Sequence, residues 1–247
     1  MILYVTSFNK NLYQVTGRSM IESFVKWKTE GDLLITFEDG IDSDIPKHRK
    51  FLFHDLNKDE FLKNWLKENE DIIPIAYGGK FVGTFANKFN RRAACWFRKI
   101  VAVKASLDLG YDKVIFVDSD SVFKKKITEE YVDEVLEGNS MFYHLGDLRI
   151  KRNMGIESGF IGWDLKNGGR EYLDIVIESF KSGDFRRYIR WDDGYVFRMI
   201  VEENPQIKTK DVTEGLNLLE VIPNGPFRNF IRHDKGIHGR EFGEMIW

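Results

Sequence analysis

The stretch KVIFVDSDSVF, Lys113 to Phe123, runs four apolar residues into two carboxylates separated by one serine, then returns to apolar residues. Val114 to Val117 read as a strand buried on both faces, the kind found at the centre of a parallel sheet. In an extended chain residues i and i+2 share a face, so Asp118 and Asp120 point to one place while Ser119 points away. Two carboxylates at one place repel unless a cation joins them, and ligand sites of open parallel sheets gather beyond the carboxyl ends of the strands. Hard cations such as Mn²⁺ or Mg²⁺ take oxygen ligands and keep positions open for phosphate oxygens and water. The stretch therefore predicts a metal clamp for a phosphorylated substrate.

The tripeptide alone does not carry that reading, because it recurs at Asp42-Ser43-Asp44 inside EDGIDSDIP. There Gly40 and Pro46 predict a turn with solvated charges. A solvated loop after a strand is likewise the plain structural alternative for Asp118 and Asp120.

Around the central strand the chain alternates strand and helix patterns. ILYVTSFN (2–9) and DLLITFEDG (32–40) read as buried strands feeding loops, with a helix over SMIESFVKW (19–27) between them. DEFLKNWLKEN (59–69) places Phe61, Leu62, Trp65 and Leu66 on one helical stripe. NRRAACWFRKIVAVKASLDLG (90–110) predicts a long helix stopped by Gly110, with Arg91 and Arg98, and Arg92 and Lys99, seven apart on shared faces. Downstream come helices near 128–137, 169–181 and 192–203, and strands in SMFYHL and SGFIGWD. This is the pattern of an α/β domain with a mostly parallel sheet covered by helices. No repeat or linker interrupts the 247 residues, so one continuous domain is expected.

Bulk properties exclude several functions. With 43% hydrophobic and 14% aromatic residues the chain can bury a full core, and a net charge of -2 supplies no general attraction to nucleic acid or anionic membrane. The single cysteine, Cys95, lies among Ala93, Ala94, Trp96 and Phe97 and reads as an inert buried thiol. With no disulfide possible, no segment of about 20 apolar residues and no signal-peptide pattern, a cytoplasmic protein is expected. The clusters Arg91-Arg92, Lys124-Lys125-Lys126 and Arg186-Arg187-Arg190 are each short enough to be ordinary surface.

VIFVDSDSVF, preceded by WFRKIVAVKASLDLG, resembles the metal-binding strand and preceding helix of GT-A fold glycosyltransferases, in which an Asp-x-Asp holds Mn²⁺ or Mg²⁺ against the diphosphate of a nucleotide sugar. ESGFIGWD (157–164), WDDGYVF (191–197) and HDKGIHG (233–239) follow in an order similar to that of glycogenin-like members, over roughly residues 1–240. Glu157 stands where those members usually have Asn, and their C-terminal Lys-Pro-Trp is missing, so the likeness is to the superfamily. It implies a single Rossmann-like domain, with about 1–125 binding the nucleotide sugar and about 126–247 the acceptor. It also implies a hexosyltransferase-like activity on a hydroxyl acceptor such as a glycan, with a UDP-sugar as the foremost donor.

The resemblance assigns roles residue by residue. Asp118, Asp120 and His233 are the metal ligands, with His233 favoured over His238. Lys235 and Lys99 supply positive charge to the diphosphate, while Thr6, Ser7, Phe8 and Ser119 lie where such proteins hold the nucleotide, Phe8 being available to stack on the base. Asp193 or Asp192, ahead of Glu157, is the candidate acid that binds or deprotonates the acceptor; dipole-complementing charges at a helix start are their structural alternative. Two further functions fit parts of the pattern. VIFVDSDSV also matches a haloacid dehalogenase-type phosphatase, with Asp118 as nucleophile and Asp120 as general acid, although the later acidic motif opens a helix instead of ending a strand. The same fold could also serve as a non-catalytic nucleotide- or glycan-binding module. Oligomeric state is not encoded in any of these motifs.

Overall fold

The computed structural model describes residues 1–72 and 93–234. Its elements run β1 (Ile2–Phe8), α1 (Arg18–Lys26), β2 (Asp32–Phe37), β3 (Phe51–Asp55), α2 (Glu60–Glu68), α3 (Ala93–Ser106), β4 (Lys113–Val117), β5 (Ser121–Phe123), α4 (Glu129–Leu136), β6 (Met141–Tyr143), α5 (Gly146–Lys151), β7 (Phe160–Asp164), α6 (Arg170–Ser182), α7 (Asp193–Glu203), β8 (Thr209–Asp211) and β9 (Ile231–His233). Every helix and strand expected from periodicity is present within a few residues of its expected place. For the predicted 90–110 helix, residues 90–92, with Arg91 and Arg92, lie outside the described residues.

Seven strands form one sheet in the order β3-β2-β1-β4-β7-β6-β8. The pairs β3-β2, β2-β1 and β1-β4 are parallel, while β7 runs antiparallel to both β4 and β6. The fold class is thus α/β with a mostly parallel central sheet flanked by helices. The antiparallel strand after β4 could not be read from SGFIGWD, since a run of apolar residues carries no direction.

Strand alternation sends Leu3, Val5, Val114 and Phe116 into one core and Ile2, Tyr4, Ile115 and Val117 into the other. The first core lies under α2, α3, α6 and α7, where the Trp65 and Phe97 rings stack with centroids 4.1 Å apart. The second lies under α1 and α4, where Tyr4, Phe24 and Phe123 meet edge to face. The layer of α3 and α7 on one face of β4, and the chain joining β1 to α1 on the other, frame the end of β4 where Asp118 begins.

Candidate metal centre

The chain leaves β4 at Val117 and turns at once: Ser121 N–H donates to the Asp118 carbonyl (3.0 Å) and β5 follows. Asp118-Ser119-Asp120 is therefore a turn and not the extended segment assumed from sequence. The two carboxylates converge because the turn folds them together, and because β5 pairs antiparallel with β9, aligning Ser121 with His233. Asp234 N–H also donates to the Asp120 carbonyl (3.0 Å), fixing the strand end that carries the imidazole.

As a result Asp118, Asp120 and His233 each offer a ligand atom, all within 4.8 Å of one another. His233 Nε2 lies 3.1 Å from Asp120 Oδ1 and 3.9 Å from Asp118 Oδ2. Burial alone disfavours a charged imidazole here, yet the hydrogen bond and charge of Asp120 outweigh it and hold the His233 pKa above its ordinary value. Burial raises the Asp118 carboxyl, the Lys99 ammonium opposes that rise, and the Asp120 charge adds to it. Two oxygens and one imidazole nitrogen suit a Mn²⁺-type ion. Space for one depends on Gly159, since a Cβ there would stand 2.8 Å from His233 Cε1 and 3.0 Å from Asp118 Oδ2. A glycine that leaves these donors unobstructed is an observation of fit to a cation.

A second layer stands behind Asp118. Lys99 on α3 reaches Asp118 Oδ1 at 3.1 Å and Asp193 Oδ2 at 2.7 Å, and donates to the Ser158 hydroxyl (3.0 Å) and carbonyl (3.2 Å). Its ammonium also sits 4.5 Å from the centroid of the Phe116 ring. Lys99 is 7% exposed and Asp193 2%, so both are committed to one another inside the protein. Burial works against the charged lysine, but Asp118 and Asp193 more than compensate and its pKa is raised. Asp193 reaches this place because α7 packs without side chains in the way: Ile156 N–H donates to the Gly194 carbonyl (2.9 Å), and a Cβ on Gly194 would meet the Ile156 carbonyl at 2.2 Å.

The other predicted residues are distributed around this core. Asp192 caps α7, accepting from Tyr195 N–H, and is bound by Arg190 at 2.8 and 3.0 Å. Burial raises its pKa against the opposing Arg190 charge. Glu157 is buried beside Arg149, with Nη1 to Oε2 at 3.1 Å, and its N–H donates to the His144 carbonyl. Ser119 meets the Thr16 hydroxyl at 3.3 Å on the α1 side of the sheet, away from Lys99. Thr6 is fully buried, with its carbonyl accepting from the Thr36 hydroxyl; Ser7 pairs with Thr36 in the ladder; the Phe8 ring packs in the core 5.6 Å from that of Tyr13. Lys235 and His238 lie outside the described residues.

Thr16, Ser158 and Arg149 were not singled out from sequence, and no local pattern marks them. The burial of Lys99 did have a signal: Ala93–Ser106 is apolar on nearly every side, and a lysine in such a helix is placed inside.

No protein-family model matches the chain, and no curated protein does. Among solved structures it is similar to the crystal structure of mouse xyloside xylosyltransferase 1 in its apo form, with a TM-score of 0.50 and 15% sequence identity over 85% of this chain and 83% of that one. At that identity the likeness is one of fold, and it agrees with a GT-A-like α/β architecture. No helix of the described residues is long and apolar enough to cross a membrane.

Proposed function

We propose that the protein is a metal-dependent glycosyltransferase that transfers a sugar from a nucleotide diphosphate sugar, foremost a UDP-sugar, to a hydroxyl acceptor such as a glycan. The observation that carries the reading is the meeting of Asp118, Asp120 and His233, from segments more than 110 residues apart in the chain, around the space kept by Gly159. A phosphatase using Asp118 as nucleophile has no need of that imidazole, and Asp118 already shares one oxygen with Lys99.

Asp118, Asp120 and His233 would hold Mn²⁺ or Mg²⁺, which when bound neutralises charge on the departing diphosphate. Thr16 and Ser119, whose hydroxyls meet on the α1 side of the sheet, would line the nucleotide end of a donor-binding half over about 1–125. Asp193, joined to Asp118 through Lys99, would orient a sugar or acceptor hydroxyl. Asp192 is occupied in capping α7 and in binding Arg190, a positioning role for its neighbour Asp193. Glu157, held by Arg149, would face the acceptor side within about 126–247.

The test is a panel of nucleotide sugars incubated with the purified protein, with nucleoside diphosphate release as readout. Release from one donor that needs Mn²⁺ and is lost with chelator and in Asp120→Asn is expected. Release that persists in chelator, or none from any donor, contradicts the proposal.

A further inference from the structure

Lys99 is buried, yet it binds both a proposed cation ligand and the acid beside it. Asp118 divides its two oxygens: Oδ1 faces Lys99 at 3.1 Å, Oδ2 faces His233 at 3.9 Å. Asp193 offers Lys99 the shorter contact, 2.7 Å. Ser158 and the Phe116 ring complete the surroundings and fix the ammonium in one place. A buried ammonium between two carboxylates is electrically shared, and if one carboxylate is lost the other alone balances the ammonium.

We propose that Lys99 is a positioning residue that couples cation occupancy to Asp193, resting on the metal reading above. The shorter contact to the Asp193 carboxylate takes up the Lys99 charge and leaves Asp118 Oδ2 to serve a cation. Without that carboxylate, Lys99 turns wholly to Asp118 and becomes the cation's competitor. Asp193 thereby sets the affinity of the metal centre, and a change at one is felt at the other.

Mn²⁺ binding to the full chain, followed by loss of the free-ion electron paramagnetic resonance signal and without any substrate, tests this. Asp193→Asn should weaken Mn²⁺ binding about tenfold, from repulsion by an unbalanced ammonium. Adding Lys99→Met to that variant should bring affinity back to within about threefold of the original, since a buried ion pair exchanged for neutral groups of similar size is tolerated. Unchanged affinity in Asp193→Asn, or a double variant no better than the single one, overturns the coupling. Should Asp193→Asn not fold, Lys99→Met alone is expected to tighten binding, and unchanged affinity there overturns the coupling too. No Mn²⁺ binding by the unaltered protein would instead overturn the metal reading itself, and the coupling with it.

Discussion

The chain contains Asp-Ser-Asp twice, at 42–44 and at 118–120, and the two copies have opposite surroundings. The first is a single 3-10 turn, Ile41–Asp44, opened by Gly40 in a left-handed conformation, with all three polar side chains in solvent. The second is a turn between two strands, with Lys99 on one side and His233 on the other. The pattern sets which groups are present, while burial and neighbours set what they can do. At 42–44 water satisfies the carboxylates, so no cation is demanded. At 118–120 the carboxylates are confined beside a buried imidazole and a buried ammonium, and with that imidazole they form a cluster whose ligand atoms lie within 4.8 Å of one another, a geometry that could hold a cation.

Substitutions can break or sharpen that contrast. The largest effect is expected for Asp120→Asn, which should reduce metal-dependent donor turnover by more than about 100-fold, with Asp44→Asn unchanged in the same assay. Equal losses at both positions would erase the distinction.

The burial around the second copy has its own pH signature. His144, enclosed near it, has its pKa pushed down from 6.5 to about 4 by burial. A histidine that stays neutral in the folded chain while the unfolded chain takes up a proton costs stability as pH falls from about 6.5 to about 4, and no more below that. The loss should amount to about 3 kcal/mol of unfolding free energy, and in His144→Gln the slope over that window should flatten by this amount. Denaturant titrations at several pH values measure it.

Glycines give a smaller effect. Gly159→Ala should weaken Mn²⁺ binding about tenfold and lower stability by about 2 kcal/mol, because the new methyl group overlaps His233 and Asp118. Gly40→Ala meets nothing within 4 Å but holds φ at +63, so about 1 kcal/mol of stability should go with no change in Mn²⁺ binding. Smallest of all, Asp42→Asn should change stability by less than about 0.5 kcal/mol.

The sequence made the framework legible because buried strands and amphipathic helices follow simple periods, as at Val114–Val117 and Glu60–Glu68. It also separated the two Asp-Ser-Asp copies through their flanks, Gly40 and Pro46 against Val117 and Val122. The rest depended on long-range pairing. β5 and β9 are three residues each, too short for a pattern, and only the family resemblance singled out His233. The direction of β7, which brings Gly159 to Asp118 through the Asp118 N–H to Gly159 carbonyl bond, is likewise set by tertiary contacts. The joining of Lys99 to Asp193, 94 positions away, depends on helix packing that a single sequence does not display.

The most direct test of the central claim is a crystal of the protein grown with Mn²⁺ and a nucleoside diphosphate, examined at a wavelength where manganese scatters anomalously. An anomalous peak between Asp118, Asp120 and His233, touching the diphosphate, is the predicted result. Nucleotide bound with no manganese at those three residues, or manganese at Asp42 and Asp44 instead, would contradict it.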